Sequence, residues 1–403
     1  MKNLIRLVFS LALIGCTSKN SKSGQSEIGD LSQNKTDLEI VTAANKTEAY
    51  ISLLKGKKVG VVANQTSVIF KDKTNVHLVD SLLALDINII KVFAPEHGFR
   101  GKADAGEHVA DGIDESTGLP IISLYGENRK PSHEHLKGLD VMLFDIQDVG
   151  VRFYTYISTL HNVMEVCAEL NIPLIVLDRP NPNGHYIDGP MLEKEAKSFV
   201  GMHPVPTVYG MTIGEYGKMI NGEKWLEKGI QCDLTVISLK NYTHNSEYDL
   251  PIIPSPNLPN AKSINLYPSL CLFEGTNVSA GRGTEMQFQI FGSPFLAEDS
   301  FDFSFTPQPN FGAKNPKHNG EICFGRDLRN TEKLSGLNLN WLIESYKNTE
   351  NKEKFFNNFF LKLAGTSKLQ KQIEQGLSFE KIKATWQGDL EKFKDIREKY
   401  VLY

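Results

Sequence analysis

The chain has 403 residues, 40% hydrophobic and 23% charged, the balance of a folded protein long enough for two or three domains. Its formal net charge is −4 and it carries no long basic run, which excludes a nucleic-acid footprint.

The first 36 residues read as targeting and tether rather than fold. Lys2 and Arg6 make a positive start, residues 7–14 are apolar but too few to span a bilayer, and Leu13-Ile14-Gly15-Cys16 resembles a bacterial lipoprotein signal. We expect a signal peptide over 1–15 and a lipidated Cys16 at the start of a flexible polar tether, 16–36. A membrane is then a partner through the lipid, on the periplasmic side or cell envelope. Thr17 rather than Asp after Cys16 points to the outer membrane.

Six short apolar runs read as buried strands: 58–63, 89–94, 121–125, 141–145, 174–178 and 234–238. Helical spacing falls between several of them. Residues 74–85 place Val76, Val79, Leu82 and Leu83 on one stripe, and 154–170 place Ile157, Leu160, Met164 and Cys167 on another. Thr212 with Glu215 three residues on is a capping box opening a helix over 212–221. Alternating strand and helix predicts an α/β fold with a mostly parallel sheet over 37–255. Pro251, Pro254, Pro256 and Pro259 end that pattern, and 256–403 reads as a smaller α+β domain with several short helices in its tail. Cys167, Cys232, Cys271 and Cys323 fit no zinc spacing and read as small buried side chains.

The polar motifs sit where strands should end, the place where open α/β sheets bind ligands. Ala94-Pro95-Glu96-His97-Gly98 puts a carboxylic acid beside apolar Phe93 and Phe99, as a general acid or base requires. The plain alternative is a loop carboxylate paired with Arg100. Asp145 and Asp148 flank a turn to Arg152, either a clamp for a polar ligand or a structural ion pair, and Tyr154 opens the next helix. Asp178-Arg179-Pro180-Asn181-Pro182-Asn183-Gly184 is a proline-stiffened loop suited to holding a sugar. Glu274 precedes Gly281-Arg282-Gly283-Thr284-Glu285, where Arg282 would hold an anionic group and Glu274 or Glu285 would orient it. This glycine-rich stretch is neither a P-loop nor a dinucleotide fingerprint, so no nucleotide is expected. No His-Glu-x-x-His element occurs, and Asp104, Glu107 and His108 near Glu96 have no zinc-helix spacing, so no catalytic metal or other cofactor is expected. His133-Glu134-His135 after Ser132 reads as a solvated helix start.

Taken together, these motifs resemble the DUF1343 family, the exo-β-N-acetylmuramidases of NamZ type (glycoside hydrolase family 171). The resemblance runs from about residue 57 to Tyr403 and includes Asn64-Gln65-Thr66, Gly210-Met211-Thr212 and Ser255-Pro256-Asn257-Leu258-Pro259. It implies a Rossmann-like catalytic domain without dinucleotide, a smaller C-terminal domain, and a crevice between them. The implied reaction releases N-acetylmuramic acid from the non-reducing end of peptidoglycan fragments. Glu96 matches the acid that protonates the leaving oxygen. Asn64, His97, Asp145, Arg152, Tyr154, Asp178, Arg179, Asn181, Glu274 and Arg282 are then substrate-binding. The second carboxyl would be Glu285, with Glu274 and Asp145 as alternatives, or the sugar's own 2-acetamido group would be the nucleophile. A glycan-binding lipoprotein without activity and an exo-hexosaminidase of other specificity are the competing readings.

Overall fold

The computed structural model describes residues 39–72, 74–101, 111–126 and 128–403. Cys16, its signal and tether, and Asp104, Glu107 and His108 lie outside the described residues.

The strands in chain order are β1 (Val59–Ala63), β2 (Val68–Lys71), β3 (Thr74–His77), β4 (Ile89–Ala94), β5 (Gly112–Ile113), β6 (Pro120–Ser123), β7 (Val141–Asp145), β8 (Leu174–Leu177), β9 (Leu234–Ile237), β10 (Ile290–Ser293), β11 (Phe303–Phe305) and β12 (Cys323–Asp327). Seven of them form one sheet in the order β5-β6-β4-β1-β7-β8-β9. All neighbours run parallel except the short edge strand β5. From β6 to β9 this is the doubly wound, Rossmann-like order, with the chain reversing its winding at β1. β1, β7 and β8 are buried along their whole length, which explains why they read as unbroken apolar runs.

Side-chain alternation divides the core. Val59, Val61, Val92 and Leu143 face one layer with Leu78, Val79 and Leu82. Val62, Phe93, Phe144 and Val176 face the other, where the helix Tyr156–Leu170 packs. That second layer continues without a break into the C-terminal residues Phe291, Leu342, Phe360 and Phe393. The smaller C-terminal part carries a three-stranded antiparallel sheet, β10-β12-β11, and short helices. No helix among the described residues is long and apolar enough to cross a membrane. Cys167, Cys232, Cys271 and Cys323 are free and buried.

One element differs from expectation. Residues 74–85 divide into β3, paired antiparallel with β2, and a helix of only Leu78–Leu83. β-branched Thr74 and Val76 favour the strand, and His77 Nδ1 accepts from Val79 N at 3.3 Å to start the helix. His77 Nε2 then donates to Asn64 O at 2.9 Å, and burial outweighs that hydrogen bond and brings its pKa down to about 4. The Thr212–Glu215 capping box and the Ser132 cap before His133–Leu136 are both present.

Candidate active site

A cavity of about 420 Å³ opens over the carboxyl ends of β4, β6 and β7. Its far wall comes from the C-terminal part, through Tyr267, Glu274, Arg282, Phe288 and the segment reaching Leu363. The β4 loop enters it by a tight turn, with Gly98 N donating to Pro95 O at 3.0 Å. That turn holds His97 at φ 71, the left-handed region that costs a side-chain-bearing residue about 1 kcal/mol or more. Phe288 on the opposite wall is also left-handed, at φ 51. Backbone strain of this kind collects at functional sites.

Glu96 lies in the cavity among hydroxyl groups. Tyr125 OH donates to its Oε1 and Thr155 Oγ1 to its Oε2, each at 3.2 Å, and Tyr156 OH donates to its carbonyl at 3.3 Å. Arg100 does not pair with it. That guanidinium binds Asp80 through Nη1 and Nη2, both at 3.0 Å, and Asp114 at 2.8 Å, and stacks on Phe99. The loop is thus anchored by Arg100 while its carboxylate faces the cavity.

Of the residues expected at the site, Glu96, His97, Tyr154, Glu274 and Arg282 line this cavity. Tyr154 turns its hydroxyl to Pro254 O at 2.9 Å, and burial raises its pKa well above the usual phenol value. Glu274 and Arg282 approach each other to 3.9 Å, and Arg282 Nη2 reaches Gly312 O at 3.4 Å. Lys317, with its pKa lowered by burial, donates to Phe273 O, Thr276 O and Val278 O and so grips the backbone on either side of Glu274.

The others are placed elsewhere. Glu285 is exposed and is not part of the cavity lining. Asp145 is fully buried in a two-point pair with Arg179, at 2.6 and 2.7 Å, and neither side chain reaches the cavity. Asp178 accepts from Thr212 Oγ1, Gly214 N, Arg179 N and the hydroxyl of Tyr403, so it ties the segment around Tyr403 to the sheet. Burial pushes its carboxyl up to about 7. Asn181 donates to Met211 O and sits under Gly150, where any Cβ would come within 2.2 Å of its Oδ1. Asn64 donates to Tyr156 OH at 2.9 Å and thus supports Glu96 from behind. Arg152 is fully buried without a carboxylate partner, and burial brings its pKa down to about 10. It donates to Pro190 O and Val205 O from Nη1, and to Leu363 O and Ala364 O from Nη2. It closes the end of the helix Phe360–Ala364, part of which lines the cavity.

Tyr125, Thr155, Arg129 and Lys362 line the cavity without having stood out in the sequence. Only Tyr125 had a signal, its place at the end of a strand-like run. Ser198 Oγ and Asn257 Oδ1, on lining residues, are shielded and lack a protein hydrogen bond, groups that a polar ligand or water would satisfy. Glu165, Glu169 and Glu227 also converge, but Lys130 bridges Glu165 and Glu169 at 2.7 Å each, the arrangement of an ion-pair cluster rather than a metal centre.

Asp148, buried and outside the cavity lining, gives a pH prediction. Its Oδ2 accepts from Tyr209 OH and from Gly150 N at 2.7 Å, and its Oδ1 has no partner. Burial raises its pKa to about 6. The folded value lies above the unfolded one, so this group's contribution to stability is complete below about pH 4 and is lost as pH rises through about 6. A rise of that size is equivalent to about 3 kcal/mol. Asp148→Asn is therefore expected to gain melting temperature relative to the parent between pH 4.5 and 7.5, and a pH-independent difference would refute the assignment.

Family models for the N-terminal and C-terminal parts of the exo-beta-N-acetylmuramidase NamZ match residues 59–262 and 265–403. The chain is 38% identical to the peptidoglycan beta-N-acetylmuramidase NamZ of Bacillus subtilis (strain 168), over 100% of both chains. Crystal structures of two DUF1343 family proteins from Bacteroides fragilis superpose with TM-scores of 0.83 and 0.77. They are 46% and 30% identical, covering 91% and 90% of this chain and 99% of each of theirs.

Proposed function

The chain belongs to the exo-β-N-acetylmuramidase NamZ family, and from that premise we propose that it releases N-acetylmuramic acid from the non-reducing end of peptidoglycan fragments. The observation that carries the reading to particular atoms is Glu96, a carboxyl group held by two hydroxyls inside a cavity large enough for a sugar. We assign it as the acid that protonates the leaving oxygen. Tyr125 and Thr155 orient it, and Tyr156 with Asn64 fixes the backbone that presents it. Glu274 takes the place we expected for Glu285, because among the described lining residues it is the other carboxylate. Arg282 and the Lys317 clamp hold it in position. Asp145, Asp178, Arg179, Asn181 and Arg152 are scaffold that sets the loops around the cavity.

Aryl β-glycosides of N-acetylmuramic acid and N-acetylglucosamine, offered side by side, test this reading. Release from the muramic acid compound is the expected result. Folded protein that binds fragments and releases nothing would favour a glycan-binding role, and equal release from both would favour a broader hexosaminidase.

We also propose that the enzyme is held by a lipid on Cys16, on the strength of Leu13-Ile14-Gly15-Cys16, and at the outer membrane, on the strength of Thr17 in place of Asp. Mass analysis of the N-terminal peptide should find an acylated cysteine as the first residue, and an intact Met1 would contradict this.

A further inference from the structure

Two cations at the cavity have no task in the chemistry above. Arg129 follows β6, and Lys362 lies in the helix Phe360–Ala364, so they reach the cavity from opposite halves of the chain. Both residues are exposed. Arg129 is held in place: its guanidinium lies over the Phe199 ring with the central carbon 4.5 Å from the centroid, and Asn162 Nδ2 donates to its carbonyl at 3.0 Å. Stacking fixes the guanidinium plane and leaves its N–H edges available. The helix that carries Lys362 is fastened by Arg152 at Leu363 O and Ala364 O.

The neighbouring cations are engaged. Lys130 bridges two glutamates, Lys317 holds three carbonyls, and Arg282 lies against Glu274. Neither Arg129 nor Lys362 has an ion-pair partner among the described residues. A solvated lysine or arginine alone is ordinary surface. Here two such groups from separate elements, one of them stacked, line one cavity that also holds two carboxylates, Glu96 and Glu274. An anionic sugar that leaves water for this cavity needs cations there to offset its charge.

We propose that Arg129 and Lys362 form a carboxylate clamp that reads the lactyl group of N-acetylmuramic acid and so discriminates against N-acetylglucosamine. The inference rests on the muramidase reading and names the residues that make it selective. Arg129 supplies a planar pair of donors matched to a carboxylate, and Lys362 supplies a point charge.

The test uses Arg129→Ala, Lys362→Ala and the double variant on three aryl glycosides: that of N-acetylmuramic acid, its lactyl carboxamide, and that of N-acetylglucosamine. Each single change should lower kcat/KM on the muramic acid compound about 10- to 100-fold, the range of one charged hydrogen bond, mainly through KM. The carboxamide and N-acetylglucosamine compounds should show less than a twofold change, and melting temperatures should stay at the parent value. Arg129→Lys should restore part of the loss. An active parent whose double variant keeps its preference for the carboxylate would overturn the clamp alone. Equal losses on all three compounds would also overturn it. A folded parent inactive on the muramic acid compound overturns the activity reading and the clamp with it.

Discussion

Glu96→Gln is expected to slow cleavage of a muramic acid disaccharide by roughly 10³-fold in kcat, the middle of the range for a positioned general acid. Glutamine has the shape of glutamate and can keep hydrogen bonds to Tyr125 OH and Thr155 Oγ1, which can turn to accept or donate. The fold and KM should therefore change little. The loss should depend on the leaving group. A sugar alkoxide needs a proton as it departs, whereas a nitrophenolate departs without one. The variant should thus retain far more activity on a nitrophenyl glycoside than on the disaccharide. Equal losses on the two substrates would show that Glu96 does something other than protonate the leaving oxygen.

The second large effect lies away from the chemistry. Arg152→Met removes a buried cation that has no carboxylate partner, which by itself would be a gain, but it also strips donors from four carbonyls. Val205 O keeps a second donor, Leu192 N, while Pro190 O and the last carbonyls of the helix Phe360–Ala364 lose the donor that Arg152 provides. Three buried acceptors at about 1–3 kcal/mol each outweigh the relief, and we expect a net loss of roughly 3–5 kcal/mol. For a folded unit of this size that is a fall of about 4–7 °C in Tm. Gly365→Ala should act in the same direction, because Gly365 sits at φ 77 and a Cβ there would lie 2.3 Å from Arg152 Nη2. Partly active Arg152 variants should show raised KM before lowered kcat, since the helix they loosen carries Lys362. A Tm within 2 °C of the parent for Arg152→Met would refute this account of the arginine.

That arginine illustrates where sequence reasoning stops. The β1, β7 and β8 runs could be read because buried parallel strands are continuous apolar segments. Residues 74–77 could not, because Val76 fits both a helical stripe and a strand, and only pairing with β2 decides between them. The same ambiguity holds for the polar motifs. A buried strand-end loop needs Asp, Arg and Asn to satisfy its backbone just as a sugar site needs them to hold hydroxyls. Spacing alone does not separate the Asp145–Arg179 pair or Asp178 from Glu96 and Glu274, although the first three are interior and the last two face the cavity. Arg129 and Lys362 carry no motif because their meaning arises only when residues over 200 positions apart meet at one cavity.

Product analysis tests the central claim most directly. A glycan fragment with muramic acid at its non-reducing end should yield free N-acetylmuramic acid as its first product, and the shortened chain, now ending in N-acetylglucosamine, should resist further attack. Internal cleavage into oligosaccharides, or trimming of the N-acetylglucosamine-ended chain, would contradict an exo-acting muramidase built around Glu96.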